Sequence, residues 1–552
     1  MSSPQRADLA GLLLAVLASG MLAAWAGRSE RVVTERGDGP VPVITPPTAH
    51  LKEGDTIRIQ GTGGRALWLA EGPDAPLRDM RSTRLSLVPH PDRRRADRML
   101  ATPTAVQWNR PLPGLPLAHV VRVAEEDDLG RRGPVRLRTT VFADHGVLPV
   151  VSLVMPEGAL FDPDTGIYVP GNAMLAPHRP QLALYKEDGR WWKYPGNYSG
   201  RGKAWERRAL VQFIGADGGE IHQGPVGVRI HGNMTRGFPL RALRLVFAGP
   251  LRAPLFGDGE PAGAMALVLR PGGNDGIKAL MRDAVVNELC AGEDFEVSRA
   301  STAVLYINGC YWGIHHLRQR VDEKEIARRH GLKAKKVRMV EVELGVIHGD
   351  PEEVARFKAL VETAKGPSRS AGALYKALNE LMDVESFLAY MAACIITGQR
   401  DWPLRNVRAW RHAGGPGMGR ADGRWRFILN DMDLSMGATA PANAPLFHQL
   451  DQRAFALPAL WTGAMRDPFI RERFQWHVER LLEGPLSKEN MLAMVDHFAG
   501  RMAPEMRWHT ARWRKPASVE TWHTHVDELR TFVKARERAV RDGMRGYAGS
   551  NG

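Results

Sequence analysis

The sequence predicts an α+β protein in which a small N-terminal β-sandwich precedes a β-rich part and a largely helical C-terminal part. Between residues 49 and 145, short alternating runs are separated by Gly, Pro and Asp turns, which is typical of antiparallel strands. Asn308-Gly309 joins two apolar runs and predicts a tight hairpin. From Val321 onward, apolar residues recur at helical spacing. Strands followed by helices favour α+β over an alternating α/β order.

The length of 552 residues is too great for one hydrophobic core and predicts several domains of roughly 150 residues each. Hydrophobic residues make up 44% of the chain and charged residues 25%, so packed domains are expected rather than disorder. The predicted boundaries are a signal peptide or anchor at 1–30, a linker at 31–48, a β-sandwich module at 49–145, a β-rich part at 146–330 and a helical part at 331–552.

The N-terminal segment from Leu9 to Gly27 carries no charge and predicts an export signal. Its length reaches that of a membrane span, while Ala24-Trp25-Ala26 offers a small-x-small cleavage site. A membrane anchor and a cleaved signal therefore both stay open. Either one predicts an exported protein of the cell envelope, membrane-anchored or secreted.

The formal net charge of +14 is compatible with an anionic partner such as nucleotide phosphates, an acidic polymer or a membrane surface. The dense basic runs at 93–95 and 333–338 lie in loop-like sequence. No Lys/Arg stripe carries interleaved aromatic residues, so no nucleic-acid polymer is predicted as a partner. The three cysteines form no C-x-x-C pair, and buried free thiols are expected.

The module at 49–145 shows no helix-period segment and no cluster of acids, histidines or cysteines, which favours a spacer or binding module. Further on, residues 227–236 and 240–247 predict a strand, a polar turn and a second strand with alternating bases. Such a hairpin could cover a nucleotide, or its arginines could face solvent. Both interpretations stay open.

Helices are predicted at 321–330 and at 350–365. A third begins at an Asp383 N-cap, runs through Ile395 and delivers the chain to Asp401. After Gly437 the remaining chain is predicted to be helical to Arg545 and packed on the same unit.

The chemistry is expected between residues 399 and 433. Asp401 follows an Arg, Asn406 comes five residues later, and the strand 427–429 leads to Asp431 and Asp433. Protein kinases place a catalytic Asp, an Asn and a metal-binding Asp in this order. Asp401 is the predicted catalytic residue, which accepts or orients the acceptor proton, and Asn406, Asp431 and Asp433 are the predicted Mg²⁺ ligands. Either Asp could be the principal ligand, and Asp433 could instead be a structural acid.

Several motifs in order carry a family resemblance. They are Gly-x-Arg-x-His-Gly-Asn-x-Thr-Arg-Gly-Phe-Pro from Gly227, Leu-Arg-x-Gly-Gly-Asn-Asp at 269–275, Arg282-Asp283 and Tyr-Ile-Asn-Gly-x-Tyr-Trp-Gly from Tyr306. Together they resemble the CotH kinase family of spore-coat and envelope proteins, from residue 148 to residue 545. The module before them resembles the Fn3-like, chitobiase-associated domains that accompany this family.

The resemblance implies an atypical protein-kinase-like two-lobe domain with a helical C-terminal extension. It also implies ATP and Mg²⁺ as cofactors and a Ser/Thr-containing envelope or coat protein as substrate. Family members carry a Lys where this chain has Arg241, and Gln319 stands where they carry an acid. Arg241 is the implied phosphate ligand, and Arg236 and Arg244 are further candidates whose alternative role is salt bridging.

Three hypotheses follow. The first is an exported kinase that transfers phosphate from ATP to Ser or Thr of another protein. The second is a catalytically weak relative that serves as an envelope scaffold or binding protein. The third is a metal-dependent hydrolase that uses Asp431 and Asp433.

Overall fold

A computed structural model describes residues 41–176, 194–251, 253–256, 263–367, 370–414 and 417–550, with side chains to residue 546. The predicted export segment at 1–30 lies outside this part of the chain, as do residues 31–40 of the predicted linker. In the described ranges, no helix combines the length and the apolar character that a membrane crossing needs.

The N-terminal module consists of two sheets with strand orders β1-β2-β5 and β4-β3-β6-β7. Its strands are β1 Val43–Thr45, β2 Ile57–Gln60, β3 Leu67–Glu71, β4 Arg78–Asp79, β5 Arg84–Leu87, β6 Ala118–Glu125 and β7 Arg136–Val141. The antiparallel strands predicted between residues 49 and 145 are confirmed. β1 lies in the range predicted as linker and pairs with β2. The face-to-face packing of a sandwich stays a prediction.

The same module contains a helix, α1 Arg93–Ala101, where none was expected. The Asp92 side chain caps it by accepting a hydrogen bond of 2.9 Å from the backbone N–H of Arg95. Ala96 and Met99 lie buried on one face, while the run of three arginines covers its first turn. The expectation of a basic loop was wrong. The three successive arginines suggested a solvated loop, whereas the apolar residues Ala96 and Met99 that follow them lie on one face of a helix.

Within the described residues, seven strands form a closed barrel in the order β10-β11-β12-β14-β13-β8-β9. The strands are β8 Val150–Val154, β9 Arg207–Ile214, β10 Glu220–Ile230, β11 Leu243–Leu251, β12 Ala264–Arg270, β13 Ala300–Ile307 and β14 Cys310–Gln319. The hairpin between β13 and β14 is confirmed, with positive φ angles at both Asn308 and Gly309. The β10–β11 hairpin is confirmed as well.

Strand alternation gives this barrel an apolar interior and a basic outer face. Leu245 of β11 and Leu267 of β12 point into the core. Their neighbours form a cross-strand row on the outside, because Arg229 pairs with Arg244, Arg244 with Val268, and Val268 with Arg318. The predicted nucleotide-covering hairpin therefore presents Arg229 and Arg244 away from the barrel core.

The part from residue 331 onward is not purely helical. It contains a sheet of order β16-β15-β17-β18, formed by β15 Val337–Glu341, β16 Gly345–His348, β17 Arg408–His412 and β18 Arg426–Ile428. The helices of the barrel part are α2 Glu157–Phe161, α3 Asn172–Leu175, α4 Arg282–Leu289 and α5 Glu323–His330. Those that follow are α6 Glu352–Lys365, α7 Ala373–Asn379, α8 Val384–Thr397, α9 Ala456–Ala464, α10 Pro468–Glu483, α11 Lys488–Met502, α12 Met506–Trp513 and α13 Val519–Ser550.

Helix α8 forms the centre of the largest core, and all of its residues except Glu385 are buried. Asp383 caps it as predicted, and Gly398 ends it in the left-handed region. The C-terminal helix α13 closes the other end of α8. Arg536 donates to the carbonyl oxygens of Ile396 at 2.8 Å and Ile395 at 2.6 Å, which lie in the last turn of the helix, where carbonyl groups lack the usual intrahelical donors. The C-terminal extension thus holds the helix that leads to Asp401.

We expect Arg536→Gln to lower the free energy of unfolding by about 2–3 kcal/mol, because buried carbonyl groups lose charged donors. Urea unfolding measures the loss. The matched control is Arg538→Gln on the same helix, whose side chain is 92% exposed and whose replacement should change stability by less than about 0.5 kcal/mol. Equal effects of the two substitutions would contradict the role of Arg536.

Candidate active site

Asp431 follows strand β18 and lies at one end of a cleft between the outer face of the barrel and the C-terminal sheet. Asp431 is one of the residues that line this cleft. Its φ of 57° places it in the left-handed region, which Asp tolerates better than most residues. Its side chain is 30% exposed, and Arg270 donates to its carboxylate. The side chain of Asp433 is only 2% exposed. Of the two predicted metal ligands, Asp431 is therefore the one that faces the cleft.

Asp433 is held by the turn that follows strand β12. The backbone N–H of Asn274 donates to its Oδ2 at 2.8 Å, and Arg270 donates to the same atom at 3.0 Å. Burial and the nearby charge of Asp431 raise the pKa of Asp433 well above its usual range, although Arg270 opposes the shift. This arrangement fits the structural acid that the sequence left as one of two alternatives for Asp433.

The structure brings the Asp401 loop and the Asp431 loop together through Gln399. Its side-chain Nε2 donates to the carbonyl oxygen of Asp431 at 2.5 Å, and its Oε1 accepts from the backbone N–H of Arg400 at 2.7 Å. In the loop itself, the Asn406 side-chain amide donates to Asp401 Oδ2 at 3.0 Å. Asn406 has a φ of 60°. Two of the predicted site residues thus adopt a backbone conformation that is uncommon for any residue but glycine.

Sequence reasoning missed a buried ion cluster behind these acids. Asp283, on the first turn of α4, accepts from Arg318 of β14 and lies 3.5 Å from the Nε of Arg270. It also accepts from the backbone N–H of Met432 at 2.8 Å. Burial would raise the pKa of Asp283, but Arg318 and Arg270 outweigh it and lower the pKa to about 2. A helix acid is thus paired with two strand cations directly behind the predicted site.

Two signals for this cluster were available in the sequence: the Arg282-Asp283 pair, and the Leu-Arg-x-Gly-Gly-Asn-Asp stretch, in which an Arg ends a buried strand just before a Gly-Gly turn. Gly273 has a φ of 61°. A Cβ at this position would lie 2.2 Å from Asp433 Oδ2 and 2.8 Å from Arg270 Nη2. The turn therefore requires glycine for both backbone conformation and space.

The cleft is also lined by basic and apolar side chains. Arg320 and Arg408 line it together with His231, beside Val268, Met339 and Ile428. Burial and the charges of the surrounding arginines lower the pKa of His231 well below 6.5, which keeps its imidazole neutral. Burial also lowers the pKa of Arg320 to about 10, with the neighbouring charge of Arg244 acting in the same direction. Crowded guanidinium groups of this kind favour an anionic ligand.

The predicted phosphate ligands differ in their placement. Arg241 is fully buried between the rings of Tyr168 and Tyr198 and donates to the carbonyl oxygens of Arg236, Tyr168 and Thr104. Burial lowers its pKa to about 10. Neither Arg241 nor Arg236 is among the residues that line the cleft with Asp431.

Arg236 donates to the carbonyl oxygens of Gly232, Tyr198 and Gly200, so it braces the hairpin turn. Arg244 lies on the outer row of the barrel, and its buried Nε has no hydrogen-bond partner among the described residues. Gln319, the second departure from the family pattern, accepts from Arg329 at 2.5 Å and lines the cleft. Arg244, like Arg236 and Arg241, is absent from the residues that line the cleft with Asp431.

Among the described residues, no group of three or more His, Cys, Asp or Glu side chains has a metal-binding arrangement. The donor chemistry nevertheless fits a hard cation. Three carboxylates, those of Asp283, Asp431 and Asp433, share two guanidinium groups, those of Arg270 and Arg318. Oxygen donors of this kind are what Mg²⁺ prefers.

Comparisons with known proteins agree with the motif order. A family model described as CotH kinase protein matches residues 228–540. No curated protein matches the chain. A solved structure titled "Crystal structure of A Helicobacter pylori proinflammatory kinase CtkA" is similar over 54% of this chain and 94% of its own, with 10% sequence identity and a TM-score of 0.24.

We expect Arg241→Lys to lower the free energy of unfolding by about 2 kcal/mol, because one ammonium group cannot reach all three carbonyl oxygens that the guanidinium serves. Thermal and urea unfolding measure the change, with Arg84→Lys at an exposed position as the neutral control. Phosphate transfer should not increase. A gain in transfer would show that Arg241 limits the chemistry after all.

The lowered pKa of Asp283 predicts a defined pH dependence. The carboxylate stabilises the fold fully above the unfolded pKa of 3.8 and loses this contribution as pH falls towards about 2. The difference corresponds to about 2 kcal/mol. Asp283→Asn should lose this amount at neutral pH and approach the stability of the wild type at acidic pH. Asp97→Asn, at an exposed position, is the control, and an unchanged acid dependence in Asp283→Asn would contradict the assignment.

Proposed function

We propose, from the premise that the chain belongs to the CotH kinase protein family, that it is an exported atypical protein kinase. In this proposal it transfers the γ-phosphate of ATP to Ser or Thr of envelope or coat proteins. The proposal rests on the hydrogen bonds of the Gln399 side chain. They join the Asp401 loop to the loop of Asp431, which lines the cleft.

Asp401 is the group that accepts or orients the proton of the acceptor hydroxyl. The hydrogen bond from Asn406 to its Oδ2 fixes the carboxylate, and the bond between Gln399 and the backbone N–H of Asp401, at 3.4 Å, fixes the loop. A base held in this way reaches the acceptor without a change of rotamer. Positioning of this kind supplies most of the catalysis in phosphoryl transfer.

Asp431 and Asn406 are the residues that would hold Mg²⁺, and Asp433 supports them from the turn at Asn274. A bound Mg²⁺ neutralises phosphate charge. The side chain of Asp431 is exposed to the cleft, whereas that of Asp433 is not. Asp431 is therefore the principal ligand in the proposal.

The basic side chains that line the cleft would bind the nucleotide phosphates. Arg320 and Arg408 provide planar guanidinium groups that can bind phosphate oxygens in pairs. Arg244 adds a donor from the neighbouring strand. The neutral imidazole of His231 can approach phosphate without adding to the crowding of cations. The apolar wall of Val268, Met339 and Ile428 is suited to a nucleoside base.

Export and an envelope location are supported by the apolar segment from Leu9 to Gly27. The preference for Ser or Thr and the protein nature of the substrate come from the family. The cofactors ATP and Mg²⁺ likewise come from the family and are part of the proposal.

A second candidate function is a binding protein or scaffold with weak catalysis or none. It is favoured by the salt bridges of Arg270, which occupy both Asp431 and Asp433, and by Gln319, which provides a neutral partner for Arg329. Both candidates predict nucleotide binding. Only the kinase predicts transfer.

We expect purified protein with ATP and Mg²⁺ to label itself or a Ser-rich partner, and Asp401→Asn to reduce labelling by at least about a hundredfold. The melting temperature should stay unchanged, because an Asn side-chain oxygen can still accept from Asn406. Asp527→Asn, at a position whose side chain is 70% exposed, should label like the wild type.

A thermal shift with ATP separates the two candidates. Stabilisation by ATP and Mg²⁺ together with labelling that depends on Asp401 supports the kinase. Stabilisation without labelling supports the scaffold, and labelling that survives in Asp401→Asn refutes the role of Asp401.

A further inference from the structure

Arg270 ends strand β12 between three carboxylates. Its Nη2 donates to Asp431 and, at 3.0 Å, to Asp433 Oδ2, and its Nε lies 3.5 Å from Asp283 Oδ2. Two of these acids are the ones that the proposed function assigns to the metal site. One guanidinium group therefore lies where positive charge from a metal ion would be expected.

The other cation of the cluster does not share this task. Arg318 donates to Asp283, to the Ser298 Oγ at 3.2 Å and to the Ser298 carbonyl oxygen at 2.7 Å. In the described part of the chain, Arg270 is the one cationic side chain with a salt bridge to Asp431. The charge balance of Asp431 depends on it.

Asp433 does not need Arg270 to keep its place. The backbone N–H of Asn274 donates to it at 2.8 Å, and the Asn274 side chain lies 3.4 Å from both of its oxygens. The absence of a Cβ at Gly273 allows this close approach. If Arg270 left Asp431, the turn would still hold Asp433, and Asp283 would still offer Arg270 a partner. Backbone N–H groups thus hold Asp433 and Asp283, whereas the counter-ion of Asp431 is a long side chain that is 20% exposed.

We propose that Arg270 is an exchangeable counter-ion, which neutralises Asp431 in the metal-free protein and is displaced from that carboxylate when a divalent cation binds. This inference rests on the proposed function, because it takes Asp431 as the principal metal ligand. Arg270 is a positioning residue in this account. It keeps two like charges close together until the cation arrives.

Displacement of a charged hydrogen bond weakens metal binding. Such a bond contributes enough that its removal should tighten the binding of a divalent cation by about ten- to a hundredfold. Arg270→Gln removes the competing charge, while the turn at Asn274 continues to hold Asp433. In the absence of metal this variant should melt at a lower temperature than the wild type. Saturating Mn²⁺ should raise the melting temperature of the variant by more than it raises that of the wild type.

The experiment titrates Mn²⁺ alone, without nucleotide, into the full chain and measures free Mn²⁺ by electron paramagnetic resonance. The variants are Arg270→Gln, Arg270→Lys and the matched control Arg318→Gln, which removes a buried cation from the same cluster but none from Asp431. We expect Arg270→Gln to bind Mn²⁺ at least tenfold more tightly than the wild type, and Arg318→Gln to stay within threefold of it. Arg270→Lys should be intermediate, because an ammonium group lacks the planar fork.

Equal or weaker Mn²⁺ binding by Arg270→Gln overturns the inference, as does an equal gain in Arg318→Gln. Absence of Mn²⁺ binding in every variant overturns it as well. If Arg270→Gln does not fold, the same comparison is made with Arg270→Lys, and a lack of any gain there counts against the inference. Failure of the proposed function has a different signature, namely absence of phosphate transfer by a protein whose Mn²⁺ affinities follow the expected order.

Discussion

The hydrogen bonds of the Gln399 side chain determine how the site is assembled. Both ends of its amide bind backbone groups, the carbonyl of Asp431 on one side and the N–H groups of Arg400 and Asp401 on the other. A side chain that only donated or only accepted could not make both contacts. The two loops come from separate parts of the sequence, and each contains a residue in the left-handed backbone region. Gln399 is buried, so these bonds form without competition from water.

The sequence predicted elements whose pattern is local. The Asp383-capped helix and the Asn308-Gly309 hairpin were recognisable because caps, periodicity and turn residues lie within a few positions of one another. The order of Asp401, Asn406 and Asp431 was also recognisable, and the structure places these residues on two linked loops. Arg270 was not, because its partner Asp431 is 161 residues away. The motif did not indicate that Arg241 is buried, because the side of the chain on which a residue lies depends on where a strand begins.

Several arginines of this fold donate hydrogen bonds to backbone carbonyl oxygens rather than to acidic side chains. The arginines that donate to carbonyl oxygens of distant segments include Arg122, Arg138, Arg236, Arg241, Arg466 and Arg536. A planar guanidinium with five donors satisfies several carbonyl groups at once, which a buried loop needs. Part of the high basic content of the chain is therefore structural. Net charge alone was for this reason a weak guide to the partner.

The contact between Arg536 and the end of α8 has a consequence for the order of biosynthesis. A ribosome that has completed Asp433 has made every acid of the site. Arg536, which binds the carbonyl oxygen of Ile396, has not yet been made, because it follows Ile396 by 140 positions in the chain. Until that residue emerges, the carbonyl oxygens of Ile395 and Ile396 lack the guanidinium that binds them, and the helix that leads to the Asp401 loop lacks this support. The nascent chain should therefore complete its catalytic loop only near the end of translation, so that early release yields a polypeptide with the motifs but without the site.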